Sequence, residues 1–96
     1  ANPLAELSRA VAIGEVDGPL AGLRALDAVG QRLGDHHRLH AVRAHLHERA
    51  GDPDRAAGLF ALAARSAPSA AERDHLLRRA AQAGQAHAGD GVGAAG

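Results

Sequence analysis

The chain has no cysteine, methionine, tryptophan or tyrosine, and its only aromatic residue besides histidine is Phe60. The missing cysteines rule out a disulfide framework and a thiolate metal site, a pattern compatible with a reducing cytoplasm. A single aromatic cannot supply the stacking platforms that readers of single-stranded nucleic acid use. Net charge is missing too: eleven basic side chains balance eleven acidic ones, so no overall field draws in nucleic acid or an anionic membrane. No apolar run reaches the length of about eighteen residues that a membrane span needs, and no basic start precedes an apolar block. These absences predict a small, soluble, cytoplasmic domain that does not bind duplex DNA directly. The opening Ala1, in a sequence that reads like the middle of something, suggests a piece of a longer protein or else a processed terminus.

What is present is helix-forming. Alanine and leucine dominate, β-branched residues are few, and no alternating apolar run of strand length appears. Asn2-Pro3 and Asp52-Pro53 each place a capping side chain before a proline at the first helical position, where its missing N–H costs nothing. Gly18-Pro19 and Asp35 mark two more starts, and Ser69 followed by Glu72 has the form of a capping box. Gly34 and Gly51 stand where C-terminal caps belong. The signals predict five helices, roughly over 3–16, 19–33, 36–50, 53–67 and 69–83, followed by a flexible glycine- and alanine-rich tail over 84–96.

Sliding the sequence against itself by thirty-four residues superposes Arg9 on Arg43, Ala10 on Ala44 and Pro19 on Pro53. That is the period of a tetratricopeptide helix pair. The second unit, from His37, resembles the tetratricopeptide pattern: small Ala44, the Gly51-Asp52 turn, small Ala56, Phe60, small Ala63 and closing Pro68. Small residues let paired helices approach, and Phe60 fills the wedge between them. The first unit carries Ala10, Gly22 and Leu26 at the equivalent places, while His40, Arg43 and His47 stand where the pattern usually has large apolar residues. The expected fold is all-α, tetratricopeptide-like antiparallel helix pairs over residues 1–83, with the fifth helix as the terminal cap that solenoids need. A plain five-helix bundle is the alternative architecture.

Asn2-Pro3-Leu4, Ser8-Arg9-Ala10-Val11-Ala12, Val16-Asp17-Gly18-Pro19 with Gly22-Leu23, and His37 to Ala44 together resemble one family. It is the C-terminal tetratricopeptide-like extension of a group of bacterial extracytoplasmic-function (ECF) RNA polymerase sigma factors. The resemblance extends to Glu72 and Leu76-Leu77-Arg78-Arg79 in the last helix, and Ser8 departs from the asparagine expected there. It implies a regulatory protein-interaction domain that contacts the sigma regions of the parent chain, the core polymerase or a signalling partner. Promoter DNA would be reached only through the N-terminal regions. No cofactor, membrane or small-molecule substrate is implied. The rival reading is a stand-alone scaffold or adaptor binding a peptide or protein partner.

Seven histidines invite a metal reading, because His36, His40 and His47 fall within about 40° on one helical face. No carboxylate or thiolate completes a set at fixed spacing, so packing and solvation explain them better, and no metal site is assigned. Catalytic signatures are equally absent: no Gly-x-Ser-x-Gly elbow, phosphate-cradling loop or His-Glu-x-x-His helix occurs. Ser69 is accounted for as a cap, and Ser8 and Ser66 have no base at a recognisable spacing; the chain does not read as an enzyme, and no catalytic residue is assigned.

The candidate contact residues lie elsewhere. Arg9 and Arg43, at equivalent repeat positions, are either hooks for an anion or structural partners of Glu6, Asp17 or Asp27. Asp17-Gly18-Pro19 is first a helix–helix turn and second a loop tip available for binding. The first helix is apolar almost all round, with Leu4, Leu7 and Val11 in one stripe and Ala10, Ile13 and Val16 beyond it. In a tetratricopeptide pair Leu7 and Val11 belong to the concave face and Ile13 to the partner helix. Leu4, Leu7 and Val11 are therefore expected to offer a surface to the parent protein, with coverage by the fifth helix or self-association as the alternative. A carboxylate clamp for chaperone tails is not expected, because Leu7, Val11, Ala41 and His45 stand where it needs lysine and asparagine.

Overall fold

The computed structural model describes residues 2–34 and 36–85, together with the backbone of the last helix to residue 95. Five helices follow one another: α1 (Pro3–Asp17), α2 (Pro19–Leu33), α3 (His37–Arg49), α4 (Pro53–Arg65) and α5 (Ala70–Ala95). Among the described residues there is no strand. The capping chemistry acts as the sequence implies. Asn2 Oδ1 accepts from the Leu4 N–H at 3.0 Å, Asp52 Oδ1 from the Arg55 N–H at 3.3 Å, and Ser69 Oγ from the Glu72 N–H at 3.1 Å.

Two boundaries differ from the sequence reading. The side-chain cap of α3 is His36, whose Nδ1 accepts from the Arg38 N–H at 3.1 Å; Asp35, the expected start, lies outside the described residues. At the other end α5 runs through Gly84 instead of stopping at 83. One glycine inside a helix costs about 1 kcal/mol relative to alanine, and the alanines at 80, 81 and 83 offset such a cost. The expected tail over 84–96 falls, from residue 86 onward, outside the described side chains.

Consecutive helices pack antiparallel, α1 on α2, α2 on α3, α3 on α4 and α4 on α5, and α3 also reaches α1. The outcome is a slab of 50 × 34 × 17 Å, compatible with a tetratricopeptide-like helical repeat. The thirty-four-residue register is visible in the packing. Ala10 and Ala44 are both buried, as are Gly22 and Ala56, Leu26 and Phe60, and Val29 and Ala63.

Among the described residues there are two cores, and α3 serves both. Leu7, Ala10, Leu26, Val29, Leu39 and Leu46 make the first, between α1, α2 and α3. Ala44, Ala56, Phe60, Ala63, Ala64, Leu76 and Ala83 make the second, between α3, α4 and α5. In the first core α1 and α2 nearly touch: a Cβ on Gly22 would come within 2.9 Å of the Ala10 carbonyl oxygen and 3.0 Å of the Gly14 Cα. In the second, the Arg79 guanidinium lies 4.9 Å from the centre of the Phe60 ring and pairs with Glu48 at 2.7 Å, tying α5 to α3.

Candidate functional site

The α1 stripe does not survive as one surface. Leu7 is only 3% exposed and belongs to the first core, so its placement on a partner-facing surface is corrected. The reason is α3: it packs on α1, and its Leu39 and Leu46 join the cluster that encloses Leu7. Leu4, at 37%, stays open, and Val11 is half-buried. Ile13, expected to face α2, does so half-buried; it lines a shallow groove of about 150 Å³ between α1 and α2. The apolar circumference of α1 is thus spent on two neighbours, with no face left whole for a third.

The repeated arginines divide in the same way. Arg43 donates to Asp27 Oδ1 at 3.4 Å, linking α3 to α2 as the structural reading anticipates. Gly30 makes room for it, because a Cβ there would sit 3.3 Å from Arg43 Nη2. Arg9 is exposed on the rim of the α1–α2 groove, which the Glu6–Arg32 ion pair also borders. The sequence symmetry of the two arginines does not carry into their contacts.

The turn Asp17-Gly18-Pro19, by contrast, is the edge of a cleft of about 510 Å³, which Leu20 and Arg24 of α2 and Arg49 of α3 complete. Its shape follows from local chemistry. Gly18 has φ 99° and ψ 155°, a conformation that side-chain-bearing residues avoid, and Pro19 then starts α2 directly. Just past the opposite wall, which Arg49 and Ala50 form, Gly51 at φ 85° ends α3 in a Schellman arrangement: its N–H donates to the Glu48 carbonyl at 3.1 Å and the Asp52 N–H to the His47 carbonyl at 2.9 Å. That stop leaves Arg49 at the lip. Val16, 82% exposed, and Leu20, 63% exposed, bracket the turn. Among the described residues no ion pair engages Asp17, Arg24 or Arg49.

Leu20, Arg24 and Arg49 were not singled out by sequence reasoning. Leu20 did carry a signal: it stands two residues before Gly22, about 200° round the helix from the buried face. Arg49 carried none, since only the packing of α3 on α2 brings it to the turn.

The histidine face of α3 is divided as well. His36 is a cap and stacks on His37, with ring centroids 4.8 Å apart. His40 and His47 are half-buried. Among the described residues no three His, Asp or Glu side chains gather as a ligand set. Burial pushes the His47 imidazole below the usual histidine pKa, helped by Arg55 and Arg43 and opposed by Asp52. Burial does the same to His37, with His36 and Arg38 adding to it and Glu72 opposing. Among the described residues no helix is long and apolar enough to cross a membrane.

No protein-family model matches the chain, and neither curated proteins nor solved structures give a match.

Proposed function

We propose that the chain is a regulatory protein-interaction domain whose contact surface is the α1–α2 turn cleft, and that it acts as the C-terminal extension of an ECF sigma factor. The observation that carries the reading is the exposure of Val16 and Leu20 on either side of Gly18-Pro19. Exposed branched side chains beside a cleft are what a partner surface covers, because burying each removes apolar area from water. The same stretch, Val16-Asp17-Gly18-Pro19 with Gly22-Leu23, is one of the segments that together carry the sigma-extension resemblance, so the resemblance and the cleft share residues. Balanced charge fits a domain that regulates by protein contact and leaves promoter reading to other regions.

The test is a binding titration of the chain against purified sigma regions and, separately, core RNA polymerase. Saturable binding to one of them is expected, lost in Leu20→Glu while circular dichroism stays unchanged, because an unpaired carboxylate buried at an apolar contact is costly. A folded chain that binds neither would remove the sigma assignment and leave the adaptor reading.

A further inference from the structure

We infer that the turn cleft takes an acidic-apolar peptide segment: an aliphatic side chain seated beside Pro19 and Leu20, with flanking carboxylates held by Arg24 and Arg49. The inference rests on the protein-interaction reading above and specifies the chemistry of its partner.

Charge decides the occupant. The ionised side chains lining the cleft are Asp17, Arg24 and Arg49, an excess of one positive charge in a chain whose net charge is zero. Arg43, one α3 neighbour, is already spent on Asp27, and Arg79 on Glu48. The two cleft arginines have no such partner among the described residues. A planar guanidinium without a carboxylate offers paired donors that match one. The fixed dipoles do not favour an anion here: the α1 end at Asp17 and the α3 end at Ala50 present carbonyls, and the α2 start at Pro19 alone presents the positive end of a helix. The attraction for a carboxylate therefore comes from the two guanidinium groups, whose full charges outweigh those partial ones.

Shape and spacing agree. Arg24 follows Leu20 by four residues, which places the two on one face of α2 about 6 Å apart along the axis. A peptide that covers Leu20 with an aliphatic side chain lies along the same cleft that Arg24 and Arg49 border. The cleft volume of about 510 Å³ lies within the range of small-ligand clefts. A basic or purely apolar segment would leave both guanidinium groups desolvated without a carboxylate, which is unfavourable.

The experiment is fluorescence anisotropy of the full chain with three labelled synthetic peptides: leucines flanked by aspartate and glutamate, the same peptide with lysines for the acids, and the same with serines for the leucines. Saturable binding of the first alone is expected. Arg49→Glu and Arg24→Glu should each weaken it by about tenfold or more, Leu20→Ser should weaken it as well, and Arg49→Glu should gain affinity for the lysine peptide. All three substituted residues are exposed, so circular dichroism should not change. Equal binding of the lysine peptide, or binding that ignores Arg49→Glu, would overturn the inference. So would failure of the acidic peptide to bind, or cosedimentation with phosphatidylserine vesicles in its place. The two readings fail separately. If Leu20→Glu abolishes binding to the sigma regions while the acidic peptide does not bind, the contact surface stands and this chemistry falls; if the acidic peptide binds and the sigma regions do not, the sigma assignment falls alone.

Discussion

The two cores fill the same repeat geometry in opposite ways. In the first unit the close-approach position is Gly22, the wedge residue is Leu26 and the next turn supplies Val29; in the second the equivalents are Ala56, Phe60 and Ala63. Carbon is gained at the helix crossing and at the wedge, and lost one turn later. The first core is limited by contact, since α1 and α2 already meet at Gly14 and Gly22 and the Leu46 methyl presses on both. The second is limited by supply, since five alanines surround Phe60 and Leu76. A single fold thus contains one half that cannot accept an atom and another that cannot spare one.

The largest loss of stability is expected from Leu7→Glu. It places a carboxylate among Leu26, Leu39 and Leu46, and a loss of about 5 kcal/mol or more is expected, enough to abolish the helical circular dichroism at room temperature. A helical variant with an unchanged melting curve would return Leu7 to the surface. Phe60→Ala comes next, with an expected loss of about 3–5 kcal/mol in chemical denaturation, because no neighbouring alanine can reach into the space. It also removes the ring beneath Arg79.

Adding a carbon separates the halves more sharply. Gly22→Ala drives a Cβ against the backbone oxygen of Ala10, which cannot rotate away, and should cost about 1–3 kcal/mol. Gly58→Ala, on α4 with nothing within 4 Å of the new Cβ, should stabilise by about 0.5–1 kcal/mol. Equal effects of the two in thermal melts would show that the crossing is looser than its distances imply.

The smallest expected effect is on pH. His37 and His47 both titrate lower in the folded chain than the ordinary value of 6.5. As pH falls, the unfolded chain therefore takes up these protons first. Their contribution is complete above about pH 6.5 and is lost as pH drops through the lower folded values. The melting temperature should decline over that interval, and less so in a His37→Gln, His47→Gln double variant. An unchanged slope would place both rings in solvent.

Helix ends were the most legible feature of the sequence, because Asn2, Asp52, Ser69, Gly34 and Gly51 act through bonds to their own neighbours. The repeat was legible for a related reason: small and large residues recur at fixed spacing. The fate of α1 was not. Whether Leu7 or Ile13 is covered depends on how α3 lies across the first pair, a tertiary choice with no local signature. The cleft was half legible. Asp17-Gly18-Pro19 announces a turn, while its pairing with Arg49 requires α3 to end where Gly51 stops it.

The position of α3 has a consequence for cooperativity. Its Leu39 and Leu46 belong to one core and its Ala44 to the other, so no cut in the chain yields two self-sufficient pieces. Severing before His37 strips the first core of Leu39 and Leu46; severing after Arg49 leaves Ala44 without Phe60. Stability in stacked repeats is a sum of unit terms and shared interfaces, and here one helix holds both interfaces. Damage to either half is felt by α3 and passed to the other, so heat should melt the slab in a single transition in spite of its two chemistries.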